Sequence, residues 1–250
     1  MRIVRSWSLW DTRVLVRALF ATLLAWLVVV LVSAATDEGN VLWRIRFARS
    51  LPLVPICAGI GAWMGLASAR ARGELTALAA LGRSPWANAL GTSFGGFAVA
   101  LVAALLMFAA PRVDLSGFYP TAAHAGAFHL ETAGYVSHDR KWTVSREGEI
   151  TRNTGEAEAE GDVSLPEHAR LVAGVVTLVG GIAIPLLAAL PRKKRTARSW
   201  ALAVVAMGLT VLLFQAAAGR NLPTLCLPFP LLALLAYTLA KYKDTREPIG

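Results

Sequence analysis

Cysteine is scarce in this sequence, and several motifs that would identify an enzyme are missing. The two cysteines, Cys57 and Cys226, both lie inside apolar runs, which argues against a disulfide pair and a cysteine-based metal site. No Gly-x-x-x-x-Gly-Lys-Ser/Thr phosphate loop occurs, so the chain does not hydrolyse ATP by that chemistry. The apolar runs contain no internal Asp, Glu or His, the groups expected of an intramembrane catalyst. We therefore assign this chain no catalytic residue, metal ligand or cofactor.

Charged residues are also few, and their balance is basic. Only 16% of the residues are charged, 56% are hydrophobic, and the formal net charge is +9. In a soluble protein that excess would suggest nucleic-acid binding. Here most Lys and Arg residues flank apolar runs, and the positive-inside rule of membrane proteins accounts for them. The composition therefore predicts a polytopic membrane protein without a nucleic-acid partner.

Six apolar runs approach or exceed the roughly 20 residues that a helix needs to cross a bilayer. A secretory signal peptide is the alternative for the first run, because Ser33-Ala34-Ala35 resembles a cleavage site. That run is long for a signal, and a second run follows closely. We therefore expect a membrane α-helical fold with six transmembrane helices, at residues 18–35, 51–67, 87–110, 170–190, 199–219 and 224–240.

The distribution of charge predicts the side on which each loop lies. With both termini in the cytoplasm, fifteen of the 25 Lys and Arg residues fall on the cytoplasmic side. Residues 111–169 then face outward, and acids outnumber bases there. Alternating or β-forming stretches at 128–132, 141–145 and 156–160 predict a small β-rich extracytoplasmic insertion between helices three and four. The histidines in and beside it lack metal-ligand spacing, so we interpret them as solvated residues.

The chain therefore divides into three regions. An N-terminal membrane half covers residues 1–110 and contains helices one to three. The small β-rich module covers residues 111–169, and a C-terminal membrane half with helices four to six covers residues 170–250. The module is too short to hold a large core of its own, so we expect it to be stabilised by a partner or by the membrane.

A polar stretch between helices two and three, residues 70–82, predicts a short amphipathic helix. Strong helix formers run from Glu74 to Leu81, and Gly82 followed by Pro85 ends them. Its leucines recur at helical spacing, at Leu75, Leu78 and Leu81. Periodicity alone leaves two interpretations open, a connector on the membrane surface or a coupling helix that docks on a cytoplasmic motor.

Three arginines after helix one break the positive-inside trend, namely Arg44, Arg46 and Arg49. They lie beside Trp43 and Phe47, a basic and aromatic mixture typical of an outer headgroup layer. One interpretation is interfacial anchoring, in which the arginines extend to headgroups. The other is a binding site, in which the guanidinium groups hold a phosphate or carboxylate headgroup bidentately.

Three motifs resemble the permease subunits of the lipopolysaccharide export ABC transporter, the LptF/LptG family. The first runs from Ser-Leu-Pro-Leu-Val-Pro at 50–55 into Arg-Gly-Glu-Leu-Thr-Ala-Leu-Ala-Ala-Leu-Gly-Arg-Ser at 72–84. The second joins Pro-Glu-His-Ala-Arg at 166–170 to Gly-Ile-Ala-Ile-Pro at 181–185. The third is Gly-Arg-Asn-Leu-Pro at 219–223. The resemblance covers nearly all of the membrane part.

The resemblance implies a transport subunit of the bacterial inner membrane. It would pair with a second permease, either the same chain or a paralogue, and dock on a cytoplasmic ABC ATPase dimer that holds ATP and Mg. Its cargo would be an amphipathic, anionic, lipid-like molecule taken from the outer leaflet. The candidates for ATPase coupling are Arg70, Arg72, Glu74, Leu75, Leu78 and Arg83. The candidates for headgroup binding near the lateral gate are Arg44, Arg46, Arg49 and Arg220.

The chain departs from that family outside the membrane. The family has a full extracytoplasmic β-jellyroll, for which residues 111–169 are too few, so the lipid would pass to an extracytoplasmic acceptor protein or the cargo would differ. One alternative is a mechanotransmission permease of the FtsX/MacB type, which drives an extracytoplasmic partner without carrying substrate but typically has four helices. A membrane-embedded enzyme or assembly factor is the other alternative.

Overall fold

The structure is a computed structural model, and the part of the chain that it describes is almost entirely helical. Its eight α-helices are α1 (Leu9–Thr36), α2 (Trp43–Ser50), α3 (Val54–Ala71), α4 (Glu74–Ala80), α5 (Pro85–Ala109), α6 (Ala169–Ala189), α7 (Thr196–Ala218) and α8 (Phe229–Asp244). The described residues are 8–36, 43–110, 113, 115, 118–119, 128–131, 134–137, 142–145, 147–152, 168–190, 196–218 and 222–244.

Six helices in this part of the chain are long and apolar enough to cross a membrane. They are Leu9–Thr36, Ile45–Ala71, Pro85–Ala109, Ala169–Ala189, Trp200–Ala218 and Thr224–Tyr242. The second joins α2 to α3 through a 3-10 turn at Leu51–Leu53, and the sixth joins a 3-10 turn at Thr224–Cys226 to α8. The expectation of a multi-pass membrane α-helical protein is therefore confirmed at the level of helix length and composition.

The spans alternate in direction, which gives the bundle two distinct ends. At the first, which we call the α4 end, Trp10 in the first turn of α1 contacts α4, and Tyr242 near the end of α8 donates to the Leu186 carbonyl of α6 at 3.0 Å. At the second, the α2 end, Trp26 of α1 donates to Ser50 Oγ at 2.8 Å. Each span therefore connects one end to the other.

Three helices, α3, α5 and α6, form the centre of the bundle. Their mutual contacts are extensive, and α1 packs against α3 and α5. In α6, 72% of the span is buried within the chain, whereas the figure is 22% for both α1 and α8. The large apolar side chains on the outer faces of α1 and α7 are exposed, for example Phe20 and Leu212. Such faces suit contact with lipid or with another membrane helix.

The core at the α2 end includes residues that follow α5. Phe118 and Tyr119 are buried, and both rings pack against Phe214 of α7. The Tyr119 hydroxyl donates to the Ala169 carbonyl at 3.2 Å, and burial raises the pKa of that hydroxyl. Arg170 donates to the Ala110 carbonyl at 3.2 Å, so the end of α5 is tied to the start of α6.

Four short strands lie between α5 and α6 in the chain. They are β1 (Phe128–Glu131), β2 (Gly134–Ser137), β3 (Trp142–Ser145) and β4 (Ile150–Arg152), and they pair antiparallel in sequential order. Leu130 pairs with Tyr135, and Tyr135 pairs with Val144 on the other side. The stretch at 156–160, where the sequence also predicts β structure, lies outside the described residues.

The main difference from the predicted boundaries concerns the beginning of the first span. The sequence predicts its start at residue 18, but α1 begins at Leu9 and includes the charged residues Asp11, Arg13 and Arg17. An acidic residue within an apolar segment normally argues against a membrane-spanning helix. Asp11 is fully buried here, and Arg83, in the loop after α4, neutralises its charge.

Candidate coupling site

Two glycines delimit the short helix α4 at the α4 end of the bundle. Gly73 precedes it with φ of 70° and Gly82 follows it with φ of 79°, a left-handed conformation that strains any residue with a Cβ. Ser84 then caps α5, its hydroxyl accepting from the Ala87 amide at 3.2 Å, and Pro85 occupies the first turn. The helix observed at 74–80 agrees closely with the one predicted at 74–81.

Glu74, in the first turn of α4, is bound on two sides by its own chain. Trp10 Nε1 of α1 donates to Oε2 at 2.9 Å, and Arg72 Nε donates to Oε1. The hydrogen bond from Arg72 and then that from Trp10 lower the pKa of the Glu74 carboxyl. Glu74 is thus an ionised residue that connects α4 to the start of α1.

Arg83, which follows α4, makes a second connection to α1. Its guanidinium pairs with the Asp11 carboxylate and also donates to Ser8 Oγ at 3.3 Å. It also stacks over the Trp10 ring, with Cζ 4.8 Å from the ring centroid. Asp11 is fully buried, and the Arg83 side chain is 17% exposed. We call the set of Ser8, Trp10, Asp11, Glu74 and Arg83 the α1–α4 clasp.

Ser8 organises the α1 side of the clasp. Its backbone amide donates to Asp11 Oδ2 at 3.1 Å and its hydroxyl donates to the same oxygen at 2.7 Å. These bonds satisfy donors at the helix start and hold the carboxylate in place. The other carboxylate oxygen, Oδ1, is the one that receives Arg83.

The apolar side of α4 faces a small core at the α4 end. Leu75 packs against a cluster formed by Leu66, Ala89, Leu186, Ala189 and Tyr242. Leu75 and Leu78 are half-buried, but Leu81 is 82% exposed, so the three leucines do not share one buried face. Thr76, Ala77, Ala79 and Ala80 are exposed as well. This exposed surface is open to a partner.

The residues predicted to couple to an ATPase differ in their exposure and in their contacts within the chain. Arg72 is exposed and ion-paired with Glu74, while Arg70 is half-buried at the end of α3. Glu74 and Arg83 belong to the clasp, Leu75 packs against the core at the α4 end, and Leu78 is half-buried. Sequence reasoning missed Ser8, Trp10 and Asp11. A local pattern could not identify them, because Trp10 meets its partner 64 positions later and Asp11 meets Arg83 72 positions later.

The predicted headgroup arginines lie at or near the α2 end, as far as they are described. Arg46 is 7% exposed, with its guanidinium over the Trp43 ring at 4.9 Å, whereas Arg49 is exposed. The side chain of Arg44 and the whole of Arg220 lie outside the described residues. The structure thus separates Arg46, which is enclosed by its own chain, from Arg49, which is accessible.

Among the described residues, no group of three His, Cys, Asp or Glu side chains is placed to hold a metal ion. Comparison with protein-family models and with curated proteins finds no match to this chain.

Proposed function

We propose that this chain is a permease subunit of an ABC transporter that extracts or exports an anionic, amphipathic, lipid-like substrate. A separate cytoplasmic ATPase dimer docks at α4 and holds the ATP and Mg. The observation that supports this role is the α1–α4 clasp. Because α4 is also directly connected to α3 and α5 in the chain, a force on α4 reaches three spans at once.

The proposal includes a membrane orientation. The α4 end is cytoplasmic, as the positive-inside rule predicts, and both termini lie on that side. The sheet β1–β4 belongs to an extracytoplasmic module, from which lipid passes to an acceptor protein. The chain resides in the bacterial inner membrane and pairs with a second copy or a paralogue. The LptF/LptG-like motifs of the sequence support these assignments.

Co-purification tests the proposed ATPase docking. The tagged chain is solubilised from its native membrane, and an ATPase that has no membrane span of its own is expected to accompany it. Ala80→Arg places a bulky cation on the exposed surface of α4 without touching the clasp, and it should release the ATPase. Ile150→Arg, at an exposed position on β4, is the matched control and should retain it.

Two results would count against the proposal. One is a wild-type chain that purifies without any ATPase, and the other is an Ala80→Arg variant that keeps the ATPase and its transport. An extracytoplasmic partner that co-purifies with the ATPase, but without lipid, would favour the mechanotransmission alternative.

A further inference from the structure

Two arginines, Arg13 and Arg17, lie on the outer side of α1. They are one helical turn apart, and Trp10 lies three positions before Arg13 on the same side. Phe20 and Leu24 continue this side toward the α2 end, and both are exposed. Arg13 is exposed as well, while Arg17 is half-buried. This side of α1 therefore carries two cations near the α4 end and apolar side chains beyond them.

Arg17 lies within the span rather than at its end. It follows Asp11 by six positions, which places its Cα about 9 Å farther along the helix axis. Both residues belong to the candidate span Leu9–Thr36. An arginine at such a depth is costly in a bilayer unless its guanidinium reaches the headgroups or finds an acceptor. Because side chains lean toward the start of their helix, this guanidinium can extend toward the headgroups at the α4 end.

The acids nearest to Arg17 are already engaged. After Arg72 and Trp10, the charge of Arg17 also lowers the pKa of Glu74, so the two groups lie near each other. Both carboxylate oxygens of Glu74 nevertheless accept from other donors, and Asp11 has its own cation in the clasp. The buried Nη1 of Arg17 has no hydrogen-bond partner among the residues that the structure describes. Arg17 is thus a cation of the span whose hydrogen-bonding capacity is not met by the clasp.

We propose that Arg13 and Arg17 bind the phosphate of an anionic phospholipid in the leaflet at the α4 end. Guanidinium groups bind phosphate bidentately, and two of them one turn apart can share one headgroup. Basic side chains near the membrane surface favour anionic lipids. The acyl chains of the bound lipid lie along Phe20 and Leu24. This site is at the opposite end of the bundle from α2, and it needs neither an ATPase nor a transported cargo.

A membrane helix of a second copy fits this side of α1 poorly. Contact with another helix would bury Arg13 and Arg17, and each would then need an acid from that helix. Asp11 is the only Asp or Glu within the six candidate spans, and it is buried in its own chain. Close helix contacts in membranes also depend on small residues, whereas Phe20 and Leu24 are large. A lipid supplies both the anion and the flexible apolar chains.

Photo-crosslinking identifies the lipid next to this side of α1. The photoreactive residue p-benzoylphenylalanine replaces Phe20 or Leu31, which is exposed and lies three turns later on the same side. The full chain is reconstituted in nanodiscs of equal parts phosphatidylglycerol and phosphatidylcholine with identical acyl chains, and captured lipid is identified by mass spectrometry. Capture at residue 20 should favour phosphatidylglycerol about fivefold over capture at residue 31, because each arginine near the surface contributes an effect of about that size.

Charge variants assign the preference to the two arginines. Arg13→Gln/Arg17→Gln should reduce the ratio at residue 20 to that at residue 31, and Arg13→Lys/Arg17→Lys should keep part of it. Arg49→Gln removes an exposed arginine at the α2 end and should leave the ratio at residue 20 unchanged. Melting temperatures establish that each variant is folded. Should the double Gln variant unfold, Arg17→Gln alone decides, with an expected partial loss of the preference.

Three results would overturn the proposal. The first is an equal lipid ratio at residues 20 and 31 of the otherwise unchanged chain. The second is a preference that persists after both arginines, or Arg17 alone in the fallback, are replaced by glutamine. The third is a preference that inorganic phosphate abolishes while sodium chloride of equal ionic strength does not, which would identify a site for phosphate ions rather than for a lipid headgroup. Loss of a co-purifying ATPase with an unchanged lipid ratio would contradict only the proposed function.

Discussion

Asp11 is a buried carboxylate in the first turn of a membrane-spanning helix, and three donors explain how it is tolerated. The carboxylate accepts hydrogen bonds from the Ser8 amide, the Ser8 hydroxyl and Arg83 Nη2, and Arg83 Nη1 donates to Ser8 Oγ. The Arg83 Nε is buried and has no hydrogen-bond partner among the residues that the structure describes. Removing either partner of the Asp11–Arg83 pair is costly, because the remaining charge would be left largely buried without a counter-charge.

Removing one charge of this pair should destabilise the protein. We expect Asp11→Asn to lower the free energy of unfolding by about 2–3 kcal/mol, since Arg83 then keeps its charge with little water contact. SDS-induced unfolding of the purified chain measures it. The double variant Asp11→Asn/Arg83→Gln should lose less than the sum of the two single variants. Strictly additive losses would show that the two side chains do not interact.

Glu74 predicts a pH dependence. Hydrogen bonds from Arg72 and Trp10 lower its pKa in the folded state, so ionised Glu74 stabilises the fold. This stabilisation is fully present at a pH above the ordinary pKa of glutamate. It is lost as the pH falls from that value through the lowered pKa of Glu74 in the folded chain. Glu74→Gln should therefore be less stable than wild type at neutral pH, and the difference should disappear in acid. Unfolding measured across pH checks this, with Glu149→Gln, an exposed residue, as the control.

At the scale of elements, the helices approach closely where glycine replaces a side chain. A Cβ built on Gly61 of α3 would lie 2.0 Å from Thr22 Oγ1 and 2.6 Å from the Ala18 carbonyl oxygen of α1. The carbonyl belongs to the backbone of a packed helix and cannot rotate away. In contrast, a Cβ at Gly208 of α7 would meet no atom of the described part of the chain within 4 Å. The two positions differ in packing while sharing a helical backbone.

The same substitution should thus have opposite effects at these two glycines. Gly61→Ala is expected to separate α1 from α3 and to cost about 1–3 kcal/mol of stability. Gly208→Ala should be neutral or stabilise by up to about 1 kcal/mol, because alanine is the better helix former. Apparent melting temperatures of the two variants compare them directly. Equal stability would mean that α1 and α3 lie farther apart than described.

Secondary structure was predictable in the membrane part because hydropathy is a local property. Six apolar runs lead directly to six helices, and the glycines around α4 mark its ends. The clasp was not predictable, because Asp11 and Trp10 acquire their partners only when distant segments pack together. The sequence correctly identifies the polar stretch before α5, but it does not reveal that Glu74 is bound within the chain.

At the scale of the whole molecule, the charge asymmetry predicts the orientation in the membrane. We expect Ser145→Cys, on β3, to react with an impermeant maleimide in intact cells. Thr245→Cys, which lies outside the described residues, should react only after lysis. Both variants are made in a chain whose Cys57 and Cys226 are replaced by alanine, so that only the introduced thiol reports. Labelling of Thr245→Cys in intact cells would show that the chain has the opposite orientation.

The clasp also constrains how the protein is made. A ribosome delivers α1 to the membrane well before it has translated Arg83, so Asp11 enters without the cation that later covers it. The first turn of α1 should therefore remain in the hydrated membrane interface until α4 and the start of α5 leave the ribosome and Arg83 can pair with Asp11. Nascent chains halted before residue 83 should leave a cysteine at Val14, which is buried in the folded chain, open to aqueous reagents, and chains halted after α5 should protect it. The first helix thus reaches its final position only after the start of the third span has been translated.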